Sequence, residues 1–455
     1  MDRWSTRLLA SLTVILLATP AHAATINRWI QLAPNHTALL RAITDLRNDA
    51  CPAASVDGAP VALAQRGSSA NAANSFPITL CEAAVPVGGS TAIIDGMTLK
   101  MPAAHPRRIV VIGDTGCRVV LTEQQNCNDP GPNGFPLPQI AQMVATFSPD
   151  LIVHVGDYYY RESPCHPGNA GCAGSPHGDT WPAWDADWFT PARPIMAAAP
   201  LAMSRGNHES CGRGARGWYT LLDPHPYDVA AVSCTFGSAY DYPPSYIVDA
   251  GLVSLIMFDS SFANTGDKSA PVQSDVNAVE AVTATHYAPD VAAQVAALNG
   301  KPAFFVTHRP AYGFYKSAQH GNRLSLEGAT PDELALFAKG VPDPIRLLLS
   351  GHIHQFEAID MVREEDAPQL VVGMSGTLLD KQAAPHEFTG PAAFDRVAGF
   401  APVVAQAMDV GREFGFAVLD EVDGGYTVDL YWLDGVPHGR CVLQVVGARR
   451  LTCTG

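Results

Sequence analysis

One pattern, repeated five times, constrains the fold of this chain more than any other feature of its sequence. A run of apolar, β-forming residues is followed closely by a polar cluster that contains Asp, Asn or His. The runs are continuous rather than alternating, which is typical of strands buried on both faces of a sheet. The five clusters are Gly113-Asp114-Thr115-Gly116, Gly156-Asp157, Gly206-Asn207-His208-Glu209, Thr307-His308 and Gly351-His352-Ile353-His354.

Continuous strands separated by helix-like segments predict an α/β fold. Strands are expected at 109–112, 151–155, 201–204, 253–258, 303–307 and 346–350, and helices at 137–147, 291–298 and 331–338. Further strands expected at 370–373, 414–419 and 426–432 indicate a second sheet packed on the first. Because ligands bind beyond the carboxyl ends of strands in an open α/β sheet, the five clusters are expected to share one cleft.

The chain is predicted to divide into a leader and two parts. Residues 1–23 resemble a secretory signal, since Arg3 and Arg7 precede an apolar run and Ala21-His22-Ala23 offers a small-residue cleavage site. An uncleaved anchor is the alternative, but the run is short for a membrane span. Residues 24–105 are predicted to be a small, mostly β or irregular N-terminal region, and residues 106–455 one large domain.

The charge balance argues against two classes of partner. The chain has 29 Lys and Arg against 44 Asp and Glu, a net charge of −15, and it has no basic run. Nucleic-acid and anionic-membrane binders carry a basic surface, so neither partner is expected, and no membrane association is expected after signal cleavage. Any positive charge needed to bind phosphate would come from local arginines and bound metal.

Cysteine usage agrees with export. All ten cysteines follow the predicted signal, and an even number in an exported chain predicts five disulfides, with pairing of sequence neighbours as the simplest arrangement. Spacing alone does not prove that connectivity. Thiolate metal ligands are a poorer interpretation because the chain has no Cys-x-x-Cys pair. The expected location is secreted or periplasmic.

The polar clusters contain the atoms that a metal site needs. Asp157 and Tyr160, three residues apart beyond a strand, offer two oxygens to a hard cation. Taken alone, such an Asp is more often a turn cap and such a Tyr a packing residue. His352 and His354 would lie on the same side of an extended segment. Asn207 offers an amide oxygen as a metal ligand, so that the next residue, His208, can transfer a proton. The alternative is that His208 has only a structural role.

The ordered set GD…GDxxY…GNHE…H…GHxH, over roughly residues 108 to 360, resembles the calcineurin-like metallophosphoesterase family. Many members have a His two residues after the first Asp, where this chain has Gly116. Tyr160 stands where the purple acid phosphatase branch places its tyrosinate ligand. The resemblance implies a four-layer α/β/β/α sandwich, with residues 106–455 as the catalytic domain.

The resemblance also implies two metal ions bridged by Asp157. Phenolate and carboxylate favour Fe(III) at one site, and amide and imidazole suit a divalent Fe, Zn or Mn at the other. The first ion would be held by Asp114, Asp157, Tyr160 and His354, and the second by Asp157, Asn207, His308 and His352.

The implied reaction is hydrolysis of a phosphomonoester, a small phosphorylated substrate, by a metal-bound hydroxide. His208 is predicted to be the general acid, with Glu209 orienting its imidazole. Four further residues, Arg161, Arg205, Arg309 and His320, are candidates for substrate binding, although a surface ion pair is the commoner role for any one arginine.

Two other functions remain open from the sequence. A phosphodiesterase or a nucleotide-directed phosphohydrolase would use the same ligands with different pocket loops. A non-catalytic metal- or phosphate-binding protein is the other, although such a protein would have no need of the GNHE histidine.

Overall fold

The computed structural model describes residues 24–45, 51–67, 75–263, 283–311, 313–317, 323–326, 336–337, 340–363, 365–380, 404–409 and 413–454. In chain order the strands are β1 Thr25–Ala33, β2 Thr37–Thr44, β3 Ala54–Val56, β4 Ala59–Val61, β5 Ala64–Gln65, β6 Thr79–Pro86, β7 Thr91–Ile94, β8 Met97–Lys100, β9 Arg108–Ile112, β10 Val119–Val120, β11 Glu123–Gln124, β12 Leu151–His154, β13 Leu201–Met203, β14 Tyr246–Ala250, β15 Val253–Met257, β16 Ala303–Val306, β17 Phe314–Ser317, β18 Arg323–Leu326, β19 Ile345–Ser350, β20 Phe356–Met361, β21 Gln369–Val372, β22 Val404–Asp409, β23 Gly415–Val422, β24 Gly425–Trp432, β25 Pro437–Gln444 and β26 Arg450–Thr454.

The α-helices are short. They are α1 Leu137–Thr146, α2 Trp181–Trp184, α3 Arg193–Ala198, α4 Ala215–Gly217 and α5 Ala288–Ala297. Single turns of 3₁₀ or π type cover Asp185–Phe189, Asn207–Glu209, Trp218–Leu222, Ala231–Ser233, Ala239–Asp241 and Thr283–Tyr287.

Two large sheets form the core. The larger has the order β26-β25-β24-β23-β9-β12-β13-β1-β2-β6-β5, and the smaller β14-β15-β16-β19-β21-β20-β22. Strands β9, β12, β13 and β1 are parallel neighbours, as are β15, β16, β19 and β21. The parallel centre of each sheet brings the carboxyl ends of its strands to one edge, where polar clusters follow.

The two sheets pack face to face, and helices cover their outer faces. Val111 and Val153 of the larger sheet lie in one apolar cluster with Leu255 and Phe304 of the smaller. A buried side chain of this size stabilises the fold by about 1.5–3 kcal/mol relative to an exposed one. Helices α1 and α3 pack on the outer face of the larger sheet, and α5 on that of the smaller. The four-layer α/β/β/α prediction is confirmed.

The N-terminal region is β-rich, as expected, but it is not separate. Strand β1 pairs in parallel with β13 and antiparallel with β2, so residues 24–45 lie inside the larger sheet. The buried Arg41 donates hydrogen bonds to the carbonyl oxygens of Leu221 at 3.1 Å and Asp223 at 2.7 Å. Glu82 pairs with its guanidinium at 2.9 Å. The larger sheet therefore contains strands from both sides of the predicted boundary near residue 105.

Most predicted elements are present with small changes at their ends. The helix expected at 137–147 is α1, and that at 291–298 lies mostly in α5. Most of the helix expected at 331–338 and the predicted signal at 1–23 lie outside the described residues. Within the described ranges, no helix is both long and apolar enough to cross a membrane.

All ten cysteines form disulfides between sequence neighbours, as the simplest arrangement predicted. The pairs are Cys51–Cys81, Cys117–Cys127, Cys165–Cys172, Cys211–Cys234 and Cys441–Cys453. The second and fourth begin three residues after Asp114 and His208, so they tether loops that carry site residues.

Candidate metal centre

The polar clusters meet where β9, β12, β13, β16 and β19 end. Asp114, Asp157 and His352 adopt positive φ values of 53°, 60° and 71°. Residues other than glycine rarely occupy this left-handed region, and such conformations concentrate at functional sites. A Cβ atom at Gly206 would overlap the Asp157 carboxylate, so glycine is required where the two loops touch. The backbone thus presents these side chains to one point.

The Tyr160 hydroxyl lies at the centre of the first predicted ligand set. It donates to Asp114 Oδ1 at 2.9 Å or to Asp157 Oδ2 at 2.8 Å, and it lies 3.1 Å from His354 Nε2. All four side chains are buried. Burial raises the pKa of Tyr160 well above its ordinary value, and the neighbouring Asp114 and Asp157 raise it further. Without a cation, this residue is a neutral phenol.

His308 connects the second set. Its Nε2 lies 3.0 Å from Asn207 Oδ1 and 3.1 Å from Asp157 Oδ2, and its Nδ1 lies 2.9 Å from the Val155 carbonyl oxygen. When Nδ1 donates to that carbonyl, the neutral ring directs the Nε2 lone pair towards two further oxygens. A cation would stabilise this convergence of lone pairs.

The chemistry of the donors fits a metal ion. Asp157, His308 and His352 each offer one ligand atom, and these atoms lie within 4.8 Å of one another. Burial and the charge of Asp157 raise the pKa of Asp114 well above its ordinary value. Burial, Arg309 and His308 lower the pKa of His352 well below its own. Two adjacent buried carboxylates surrounded by imidazoles therefore form a pocket that favours positive charge.

His208 lies beside this cluster with two polar partners that sequence reasoning did not identify. Its Nδ1 lies 2.8 Å from Glu162 Oε1, and Arg213 Nη2 lies 2.8 Å from the same nitrogen. Its ring centre is 3.8 Å from that of Tyr160, and its backbone N–H donates to Asp157 Oδ1 at 2.9 Å. Burial and the charge of Arg213 lower the pKa of His208 to about 4. The imidazole is therefore mainly neutral at pH 7.

Glu209 does not orient the imidazole as expected. Its two carboxylate oxygens accept four backbone N–H groups, at 2.9–3.1 Å. The donors are the backbone nitrogens of Asp157, Tyr158, Tyr159 and Gly206. The contact expected of Glu209 is made by Glu162, because the 3₁₀ turn at Asn207–Glu209 directs consecutive side chains to different sides.

The four predicted substrate-binding residues differ in where they lie and what they contact. Arg161 donates to Asp187 at 2.6 Å and Ser175 at 2.7 Å, and Arg205 is engaged by Asp259 and Tyr219 at 2.7 and 3.0 Å. Both are buried. Arg309 lies at the cluster, with Nη1 3.4 Å from His352 Nε2. His320 lies outside the described residues.

A buried carboxylate that the sequence did not single out ties two of these loops together. Asp187 accepts the backbone N–H groups of Cys117 at 3.1 Å and Tyr160 at 2.8 Å, besides its pairing with Arg161. Asp187 lies outside the predicted helices and outside the five strand-end clusters, so no local sequence signal identifies it.

Comparison with known proteins identifies the family of the chain. The model of the calcineurin-like phosphoesterase family matches residues 107–356, more than half of the chain. No curated protein sequence matches. One solved structure, a conserved uncharacterised protein from Streptococcus pneumoniae TIGR4 described as a predicted phosphoesterase, matches at 11% identity with a TM-score of 0.24. The match covers 73% of this chain and 92% of that one. On the family match, the chain belongs to the calcineurin-like phosphoesterase family.

Proposed function

We propose that the protein is an exported, dinuclear-metal phosphomonoesterase of the purple acid phosphatase type. The observation that carries the proposal is the position of the Tyr160 hydroxyl among Asp114, Asp157 and His354. A tyrosine there would supply a phenolate oxygen to a metal ion. Many family members have a histidine ligand at the position of Gly116, and glycine offers no ligand. Five disulfides are compatible with export.

The proposed ligands fall into two sets that share one atom. Asp157 Oδ2 lies near both the Tyr160 hydroxyl and His308 Nε2, at 2.8 and 3.1 Å, which suits a bridging carboxylate. The first set would hold Fe(III), and the second a divalent Fe, Zn or Mn. The first set is Asp114, Asp157, Tyr160 and His354, and the second is Asp157, Asn207, His308 and His352.

The chain's own residues have distinct tasks in the proposed reaction. Bound metal ions would act as Lewis acids on the phosphoryl group and activate water. His208 is placed beside Tyr160 to give a proton to the leaving alkoxide, and Glu162 holds its Nδ1. Glu209 keeps the Asp157 backbone in its strained conformation.

The test is a panel of phosphomonoesters, phosphodiesters and nucleotides with metal-reconstituted protein. We expect the highest kcat/KM for monoesters, and a loss of roughly 10²–10⁴-fold in kcat for His208→Ala at unchanged metal content. A higher kcat/KM for diesters would contradict the monoester assignment. Metal binding without hydrolysis of any ester would favour a binding protein.

A further inference from the structure

We propose that Arg118 and Arg213 bind the non-bridging phosphoryl oxygens of the substrate and thereby select phosphomonoesters over phosphodiesters. The inference rests on the proposed function. The two arginines take the place of Arg161 and Arg205, whose guanidinium groups already donate hydrogen bonds to other residues of the chain. Arg309 lies at the cluster, and Arg118 and Arg213 add two further cationic donors beside Tyr160 and His208.

Arg213 lies at the proposed proton donor. Its Nη2 is 2.8 Å from His208 Nδ1 and 3.0 Å from His208 Nε2, and its Nε donates to Glu162 Oε1 at 2.7 Å. Its side chain is 27% exposed, so it is partly open to an entering ligand. Among the described residues, no hydrogen bond or ion pair joins Nη1. Nη1 can therefore donate to an anion while Nε donates to Glu162.

The loop that carries Arg213 is fixed close to the site. Cys211 is bonded to Cys234, and the Gly214 N–H donates to the His208 carbonyl oxygen at 2.9 Å. The Arg213 N–H donates to the Ser210 carbonyl oxygen at 2.9 Å. These short-range contacts limit the conformational freedom that Arg213 would lose on binding, which favours a preorganised anion contact.

Arg118 lies near the phenol ring of Tyr160. Its guanidinium carbon lies 5.7 Å from the centre of the Tyr160 ring, and the Tyr160 ring contacts His208. Its Nε pairs with Glu123 at 2.8 Å, but the Glu123 side chain is 53% exposed. An ion pair exposed to this degree is weak, so a phosphate dianion can displace Glu123 from it.

Charge explains why two arginines favour monoesters. A phosphomonoester carries roughly −1.5 to −2 charges near pH 7 and three non-bridging oxygens. A diester carries a single charge and only two such oxygens, so it has fewer acceptors for the two guanidinium forks. Arginine binds phosphate through paired N–H donors, and each contact to the dianion is stronger than to a monoanion.

The experiment compares kcat/KM for 4-nitrophenyl phosphate and bis(4-nitrophenyl) phosphate in wild type, Arg118→Gln and Arg213→Gln. We expect each substitution to lower the monoester value by roughly 10- to 100-fold and the diester value by less. Arg213→Lys should recover part of the loss. Arg216→Gln, three residues further along the chain in α4, is the matched control, because Arg216 is exposed and contacts Ser75.

A second measurement does not depend on turnover. The Kd of inorganic phosphate for the metal-loaded proteins, measured by calorimetry, should rise in both arginine variants and stay unchanged in Arg216→Gln. If wild type hydrolyses neither ester but phosphate binding weakens as expected, the anion site stands and the catalytic function fails. An unchanged monoester-to-diester ratio, or an unchanged phosphate Kd in folded variants, overturns the inference.

Discussion

Glu162 and Glu209 show that membership of a motif does not by itself determine what a residue contacts. Both are acidic and both lie near a proposed ligand, but Glu209 accepts four backbone N–H groups while Glu162 contacts an imidazole and a guanidinium. Burial opposes the ionisation of Glu162, yet His208 and Arg213 outweigh it and lower its pKa to about 2. Glu162 is therefore charged at any pH at which the protein is expected to work.

Proton donation by His208 is predicted to depend on pH. Its pKa is lowered to about 4, so the protonated fraction falls as the pH rises through that value. The kcat for an alkyl phosphate, whose leaving group needs a proton, is expected to decline towards neutral pH. The kcat for 4-nitrophenyl phosphate should decline less, because nitrophenolate leaves without a proton.

The measurement is a pH–kcat profile for both substrates in wild type and His208→Ala. The difference between the two substrates should disappear from the alkaline limb in the variant, because both then lack the acid. Identical profiles for the two substrates in wild type would argue against His208 as the proton donor.

At the scale of elements, the turn Asp185–Phe189 connects two site loops. Asp187→Asn is predicted to destabilise the protein by about 3–5 kcal/mol, because Arg161 would be left buried beside a neutral partner. The loops after β9 and β12 should also loosen, since Asp187 accepts the N–H groups of Cys117 and Tyr160. Denaturant unfolding and metal titration measure the two effects.

Asp185→Asn is the control for that experiment. Asp185 lies on the same turn and accepts a hydrogen bond from Thr190 Oγ1 at 2.9 Å, but it contacts neither loop. Its variant should keep wild-type metal affinity. Equal losses of stability in the two variants would show that Asp187 has no special role.

The sequence predicted the strand ends well because the signal there is local. A continuous apolar run followed by Gly-Asp identifies both a buried strand and the atom at its end, as for β12 and Asp157. The partners of arginines are not local. Arg161 is engaged by Asp187, 26 residues away, and Arg205 by Asp259, 54 residues away, so only the fold reveals that both are committed.

For the whole molecule, the main difference from the sequence prediction is the position of the N-terminal strands. Short apolar segments in 24–105 indicated strands, but nothing in their composition indicated that β1 would pair with β13. Pairing between strands so distant in sequence depends on the tertiary fold and leaves no local signal in the sequence. The match of the family model begins at residue 107, so it does not cover this part of the sheet.

A truncation tests that arrangement. A chain of residues 106–455 would lack β1 and β2, expose the edge of β13 and remove Arg41 from its buried carbonyl partners. We expect it to aggregate or to unfold at much lower denaturant concentration than residues 24–455. A soluble, cooperatively folded fragment that binds metal like the longer chain would instead make 24–105 a dispensable appendage.

The visible spectrum of the iron-loaded protein tests the proposed metal centre most directly. Tyr160 lies among Asp114, Asp157 and His354, and we predict a phenolate-to-Fe(III) charge-transfer band that Tyr160→Phe abolishes while the variant stays folded. Tyr159→Phe is the matched control, because Tyr159 stacks on Trp184 away from these ligands and should leave the band unchanged. An iron-containing protein without such a band, or a band that survives in Tyr160→Phe, would contradict the assignment.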